Sequence, residues 1–467
     1  MATTSESARS PRPSPLKTQL LPCAALFLAM LNLTLVVAGL KELVVDELGG
    51  TIADTALFFT VEMVAYLCFA PLWGVLSDRA GRRRPFIVAG FAASGLLYLA
   101  YLGIHSIPLL LVLRFFQGGS SIAGWSTTMA LLFDHAGEAH RARFAGFAGA
   151  SLILGVGLGA PIGGLLTASY GARAPLAAAG ALFLLLSLLS LAMAEAPAVH
   201  VRPTLREVTR ALTSRPRLLL PWSLYAMERF TVGLFVVVFP LWLIAQHNAD
   251  PAARGRALAM FLLPFAFMQF ATYRLVRRFG PFALLSLGCF GYAIAFAALG
   301  RIDPMLMTPL LLVLGALASV IFPPTMALTA EWTAPESRAS ALAGFNVAGS
   351  LGFALGPIAG VWAQHAIGYK ASFDLAAAAA LAGALAATAA LLRQRRRSCL
   401  TPHPAITPGE KFGSCDPSGR ISHRHSPEES PLSQEEKAAH PPRSAPVQNC
   451  SYFNVTPNDI NDTVDES

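Results

Sequence analysis

Twelve apolar runs of roughly 20 residues, joined by short polar turns, dominate this 467-residue chain. They fall at about 20–40, 55–73, 85–102, 108–130, 144–167 and 174–194, and then at 218–245, 257–275, 281–300, 306–330, 340–364 and 372–392. A run of that length crosses the hydrocarbon core as one helix, and lipid leaves no unpaired backbone group unpunished. Only 13% of the residues are charged and the mean hydropathy is +0.53, whereas soluble domains carry roughly a quarter charged residues. The expectation is an all-α membrane protein of twelve transmembrane helices.

Charge placement orients the runs. Arg9, Arg12 and Lys17 fall on one face with Arg79, Arg82, Arg83, Arg84, Arg141 and Arg143. The arginines of 195–217, Arg274, Arg277, Arg278, Arg338 and Arg393 to Arg397 join them, while the other face has only Lys41, Arg173, Arg254, Arg256, Arg301 and Lys370. The positive-inside rule puts this basic face, and with it both termini, in the cytoplasm of a multi-pass cell-membrane protein. The net charge of +8 does not indicate nucleic acid, because the cations cluster at span ends without interleaved aromatics. The six cysteines show no metal or redox spacing. No catalytic constellation or nucleotide-binding loop is present, so no enzyme activity, metal or cofactor is expected.

The turn after the second run reads Gly74-Val75-Leu76-Ser77-Asp78-Arg79-Ala80-Gly81-Arg82-Arg83-Arg84. This G-x-x-x-D-x-x-G-R-R-R pattern resembles the loop between helices two and three of the major facilitator superfamily. Gly74 allows a close backbone approach, Gly81 a sharp reversal, and Asp78 is a fixed charge near the membrane face. Leu113 to Gly119 resembles the same superfamily's R-x-x-Q-G element, with Arg114 and Gln117 inside span four. Gly146, Gly155, Gly159, Pro161 and Gly163 in span five resemble the glycine motif of antiporters, except that the proline stands one place late, with Ala160 in its usual slot. Gly352, Gly356, Pro357 and Gly360 repeat it in span eleven in the usual order. From Phe69 to Arg84 the likeness is to the branch of tetracycline and multidrug exporters, drug:proton antiporters of twelve spans.

The chain also repeats itself. Thr128-Met129-Ala130-Leu131 returns as Thr325-Met326-Ala327-Leu328 at an offset of 197, which also pairs Gly155 with Gly352 and Gly159 with Gly356. The fold expected is therefore two pseudo-symmetric six-helix bundles, 18–194 and 218–392. A cytoplasmic linker, 195–217, joins them. Residues 1–17 and 393–467 lack apolar periodicity and read as disordered cytoplasmic lead and tail.

Acids inside spans carry the mechanistic expectations, since desolvation makes them costly and suits them to proton transfer. Glu62 lies in span two, and Glu228 in span seven beside Arg229. Glu62 and Arg114 sit at comparable depth and are candidates for a pair; Glu228 is either a proton carrier or half of an ion pair to another helix. Span one has no acid, and Asn32 and Thr34 are its polar interior residues. Asp134 matches the acid that meets the loop arginine in the family, so Asp78, Arg82 and Asp134, with Arg83 beside them, are expected to form a cytoplasmic latch. Asn32, Tyr66, Gln117, Trp125, Tyr225, Arg229 and Asn346, with Phe230 and Phe235, are candidates for lining a mostly apolar cavity.

The resemblance implies a monomeric secondary transporter, exporting hydrophobic or amphiphilic compounds against protons by alternating access. A metabolite importer or uniporter, favoured by the missing acid of span one, is the second reading, and a non-transporting sensor or scaffold the third.

Overall fold

The computed structural model describes residues 16–196, 207, 210, 215–334 and 337–400. The first fifteen residues, most of the 195–217 linker and the tail from 401 lie outside them. Among the described residues the regular structure is helical throughout. Among the described residues eleven helical segments are long and apolar enough to cross a membrane. A twelfth apolar helix, Ala174–Ser190, is 17 residues long and stands where the sixth run was expected.

Local chemistry sets the helix ends. Span two runs over Ile52–Ala80, further than its apolar run. It opens on a capping box in which the Thr51 side chain accepts from the Asp54 amide while the Asp54 carboxylate accepts from the Thr51 amide. It closes on Gly81, whose φ of +63° is the left-handed cap that glycine adopts without strain. Span ten breaks into Met307–Ser319 and Phe322–Glu331 just ahead of Pro323-Pro324, because a proline has no amide hydrogen to donate and its ring clashes with the carbonyl four residues back. The last helix, Tyr369–Leu400, continues past the expected end at 392. Its Arg393 to Arg397 stretch is made of good helix formers.

Spans four and five differ from expectation in that one helix, Ile107–Tyr170, is unbroken through both. The connection between them has no proline and several alanines. Within it two stretches are long and apolar enough to cross, Ile107–Ala136 and Phe147–Tyr170, and Leu132 of the first and Ala148 of the second share one apolar cluster with Cys23 and Leu26 of span one.

Glycine spacing sets the packing inside each half. Along span five, Gly155, Gly159 and Gly163 lie against the carbonyl oxygens of Phe27, Leu31 and Leu35 in span one, so close that a Cβ at any of them would overlap those atoms. Along span eleven, Gly352 and Gly356 lie against the carbonyls of Ala226 and Phe230 in span seven, and Gly360 meets Leu234. Small residues four apart let two helices approach without a side chain between them. Gly146 falls in the same helix as Gly155, in a stretch outside the described side chains.

The two halves meet on the side away from the basic face. There Phe59 of span two packs on Phe353 of span eleven with ring centroids 5.3 Å apart, and the Thr60 hydroxyl donates to the Ala354 carbonyl at 3.1 Å. Gly164 of span five lies against the Pro251 carbonyl of span eight, and Gly255 against Ala160. Arg254 donates to Glu42 across the same seam. Asn346 shares a helix face with Phe353 two turns away, and is exposed where Phe353 is half-buried.

Candidate functional site

Arg114 lies seven residues into its helix, roughly 10 Å from the start, and is fully buried. It reaches Glu62 because Gly118 of span four lies against the Glu62 backbone and the Ala65 methyl, which leaves spans two and four with no side chain between them there. The guanidinium donates to Glu62 at 2.5 Å, to the Tyr98 hydroxyl at 2.8 Å and to the Gln117 amide oxygen at 2.7 Å. Its Nε donates to the Phe58 carbonyl at 3.3 Å, and its plane lies 4.2 Å from the Phe58 ring centroid. The other Glu62 oxygen accepts from the Tyr66 hydroxyl at 3.0 Å, which is also 3.4 Å from the Ser121 hydroxyl. Glu62 and Arg114 are thus a pair, as their depths suggested, sealed in a ring of polar partners.

Among the described residues the amide nitrogen of Gln117 and the indole nitrogen of Trp125, beside this network, and both amide atoms of Asn32 in span one have no hydrogen-bond partner. The Trp125 ring is 6.0 Å from that of Tyr66. Buried polar atoms are nearly always hydrogen-bonded, so unpaired ones mark a place where water or a ligand belongs.

In the second half Glu228 and Arg229 pair with each other, both Glu228 oxygens accepting at 2.6 Å. Adjacent residues on a helix point in different directions, so Arg229 folds back over its neighbour and the pair to another helix is not formed. Arg229 is 22% exposed where Glu228 is sealed. Its guanidinium lies between the rings of Tyr225 and Phe265, at 5.4 and 5.3 Å. Tyr225 in turn stacks on Phe345 at 4.1 Å. Phe235 does not line a cavity; it is fully buried against Phe239, Phe261 and Phe296.

On the basic face the cluster expected around Arg82 is built around Arg83. Gly81 turns the chain and leaves Arg82 exposed, while Arg83, at the start of span three, points back into the fold. It pairs with Asp78, with Asp134 at 3.0 Å, and donates to the Ser77 hydroxyl at 2.9 Å. Ser77 itself donates to the Gly74 carbonyl at 3.1 Å. Glu195 accepts from the Arg83 and Arg84 amides at 2.6 and 3.2 Å, capping span three. Sequence reasoning passed over Ser77, Glu195, Tyr98 and Ser121. Ser77 is an unassigned position inside the loop motif, Glu195 reaches that motif from the end of span six, and the other two are polar residues within spans.

Comparison with known proteins agrees with this architecture. The Major Facilitator Superfamily profile matches residues 23–229 and 221–408. An MFS-type transporter of Salmonella typhimurium is 28% identical over 348 residues, covering 71% of this chain and 86% of its own. One from Burkholderia mallei is 28% identical over 393 residues, covering 80% and 91%. Among solved structures, the nucleoside transporter NupG superposes with a TM-score of 0.66 at 14% identity, over 80% of this chain and 99% of its own. A bacterial homologue of the human lysosomal transporter Spinster, inward-facing and unoccupied, gives 0.66 at 16%, over 84% and 100%. The human organic anion transporter MFSD10 gives 0.61 at 19%, over 80% and 100%. Likeness at these identities establishes the fold alone.

Proposed function

The chain belongs to the Major Facilitator Superfamily, is a multi-pass membrane transporter of small molecules, and, we propose, couples proton movement to the export of hydrophobic or amphiphilic compounds. The observation that carries this reading is the Glu62–Arg114 pair. Protonating Glu62 removes the charge that Arg114 faces at 2.5 Å, and an unpaired guanidinium in a low-dielectric interior is strongly unfavourable. Taking up a proton thus biases the bundle toward rearrangement, and releasing it restores the pair. Two further features support the substrate class. The groups around the pair are aromatic or weakly polar, Tyr66, Tyr98, Gln117 and Ser121, with Trp125 beside Tyr66, and Arg229 is already occupied by Glu228. Such a site suits ligands held by apolar contact and one or two hydrogen bonds.

With the basic face in the cytoplasm, as the arginine distribution favours, the contacts between spans two, five, eight and eleven close the outer side, which fits an inward-facing state. The Arg83 cluster then ties the ends of spans two, three and four together as the bundle moves. The protein acts as a monomer in this scheme, each chain holding both bundles.

Transport in inside-out vesicles tests the reading. A panel of fluorescent amphiphiles is offered under an imposed pH gradient, wild type against Glu62→Gln and Glu228→Gln. Gradient-driven uptake that Glu62→Gln abolishes is expected, with Glu228→Gln weaker in effect. Uptake indifferent to the gradient, or to Glu62→Gln, would overturn it. A metabolite importer remains the second reading because Asn32 stands in span one without an acid; dissipating the gradient in whole cells raises substrate accumulation for an exporter and not for an importer.

A further inference from the structure

Span eight carries two arginines two positions apart that face opposite ways. Arg254 is buried and crosses the seam to Glu42. Arg256 is exposed, and among the described residues no carboxylate pairs with it. The sequence reading placed Arg256 just outside the membrane. In the structure it lies five residues into the helix that begins at Pro251, roughly 7 Å along its axis.

Arg256 stands at one end of a groove of about 430 Å³ lined by Pro161, Ala259, Met260, Leu263, Pro264, Phe267 and Leu312. Arg256, Met260, Leu263 and Phe267 recur at the spacing of one helix face. Phe267 and Leu312 are exposed and apolar, so the groove looks out on lipid. Pro161, one place past the usual motif position, forms its far wall, while Ala160 takes the close contact with Gly255. From Arg256 to Phe267 the helix rises roughly 16 Å, about the depth of one leaflet's hydrocarbon. A lone cation beside lipid is costly unless an anion meets it.

We propose that this groove binds an anionic phospholipid of the surrounding leaflet, its phosphate on Arg256 and one acyl chain along Met260, Leu263 and Phe267. The volume is in the range of small-ligand sites, and the charge at the headgroup end selects for a net-negative lipid over a zwitterionic one. Pro161 belongs to one bundle and the other lining residues to its partner. The groove therefore has this shape only while the two bundles are closed at this seam, and a bound lipid favours that state by its differential affinity. The site is separate from the buried acids and independent of what is transported.

Native mass spectrometry of the full-length protein, released from micelles doped with phosphatidylglycerol or phosphatidylcholine of identical chains, tests this. The wild type is expected to retain phosphatidylglycerol in preference, and Arg256→Gln to weaken that binding about tenfold or more, the loss expected of a hydrogen bond to a charged group. Leu312→Trp, which fills the groove from span ten and keeps Arg256, is expected to displace the lipid as well. Arg301→Gln, removing a cation already paired with Asp374, is expected to leave retention unchanged. Equal retention of the two lipids by the wild type, or undiminished retention of phosphatidylglycerol by Arg256→Gln or Leu312→Trp, would overturn the assignment.

Discussion

Arg114 and Glu62 depend on each other more than either contributes alone. Deleting one partner of a buried pair strands the other charge, at roughly 3–5 kcal/mol, whereas replacing both by apolar groups is often neutral. Arg114→Leu is therefore expected to lower the unfolding midpoint in detergent sharply, and Arg114→Leu/Glu62→Leu to recover most of the loss while remaining inactive. A double variant no more stable than the single one would show that the pair is not the unit. The basic turn gives a second contrast. Arg83→Gln removes contacts to Asp78, Asp134 and Ser77, while Arg82→Gln alters an exposed side chain. Transport and thermal stability should fall with the first and stay close to wild type with the second. The motif alone did not separate Arg82 from Arg83, because which of three consecutive arginines points inward depends on the turn made at Gly81.

Helices pack here by backbone approach, and the glycine stripe records it. A methyl at Gly163 meets the Leu35 carbonyl, whereas one at Gly149, fourteen positions earlier in the same helix, has nothing within 4 Å. Glycine inside a helix is about 1 kcal/mol less favourable than alanine. Gly149→Ala should therefore stabilise the protein by up to about that amount, and Gly163→Ala should destabilise it, both read from thermal unfolding in micelles. The spacing also shows that the duplication is structural. Residues 155 and 352 are 197 apart, and their contacts, Phe27 and Ala226, are 199 apart. The periodicity was visible in the sequence, though the helix each stripe packs against was not, since small residues suit any close neighbour.

Across the whole molecule, the state observed depends on a seam that is closed at one face. Arg254 and Glu42 bridge it beside Val37, Leu40, Val236 and Val237. Neutralising Glu42 leaves Arg254 buried without its counter-charge, a loss for the closed seam that the opposite state does not suffer. In a background otherwise free of cysteine, Val237→Cys should react faster with a membrane-impermeant maleimide when Glu42→Gln is added. Unchanged labelling would mean that the seam is held by apolar and backbone packing alone.

Run lengths, arginine placement and repeated glycines determined in advance that this chain spans a membrane as two similar helical halves of the superfamily, because lipid permits few backbone solutions and duplication leaves a register. Depth along a span is likewise a one-dimensional quantity, which is why Glu62 and Arg114 could be paired on paper. Direction around a helix axis is not. That Glu228 turns to its own neighbour, that Arg254 faces the seam while Arg256 faces lipid, and which face of the molecule is shut, were decided only when the helices met, because each is settled by what lies across from a side chain rather than by what precedes it.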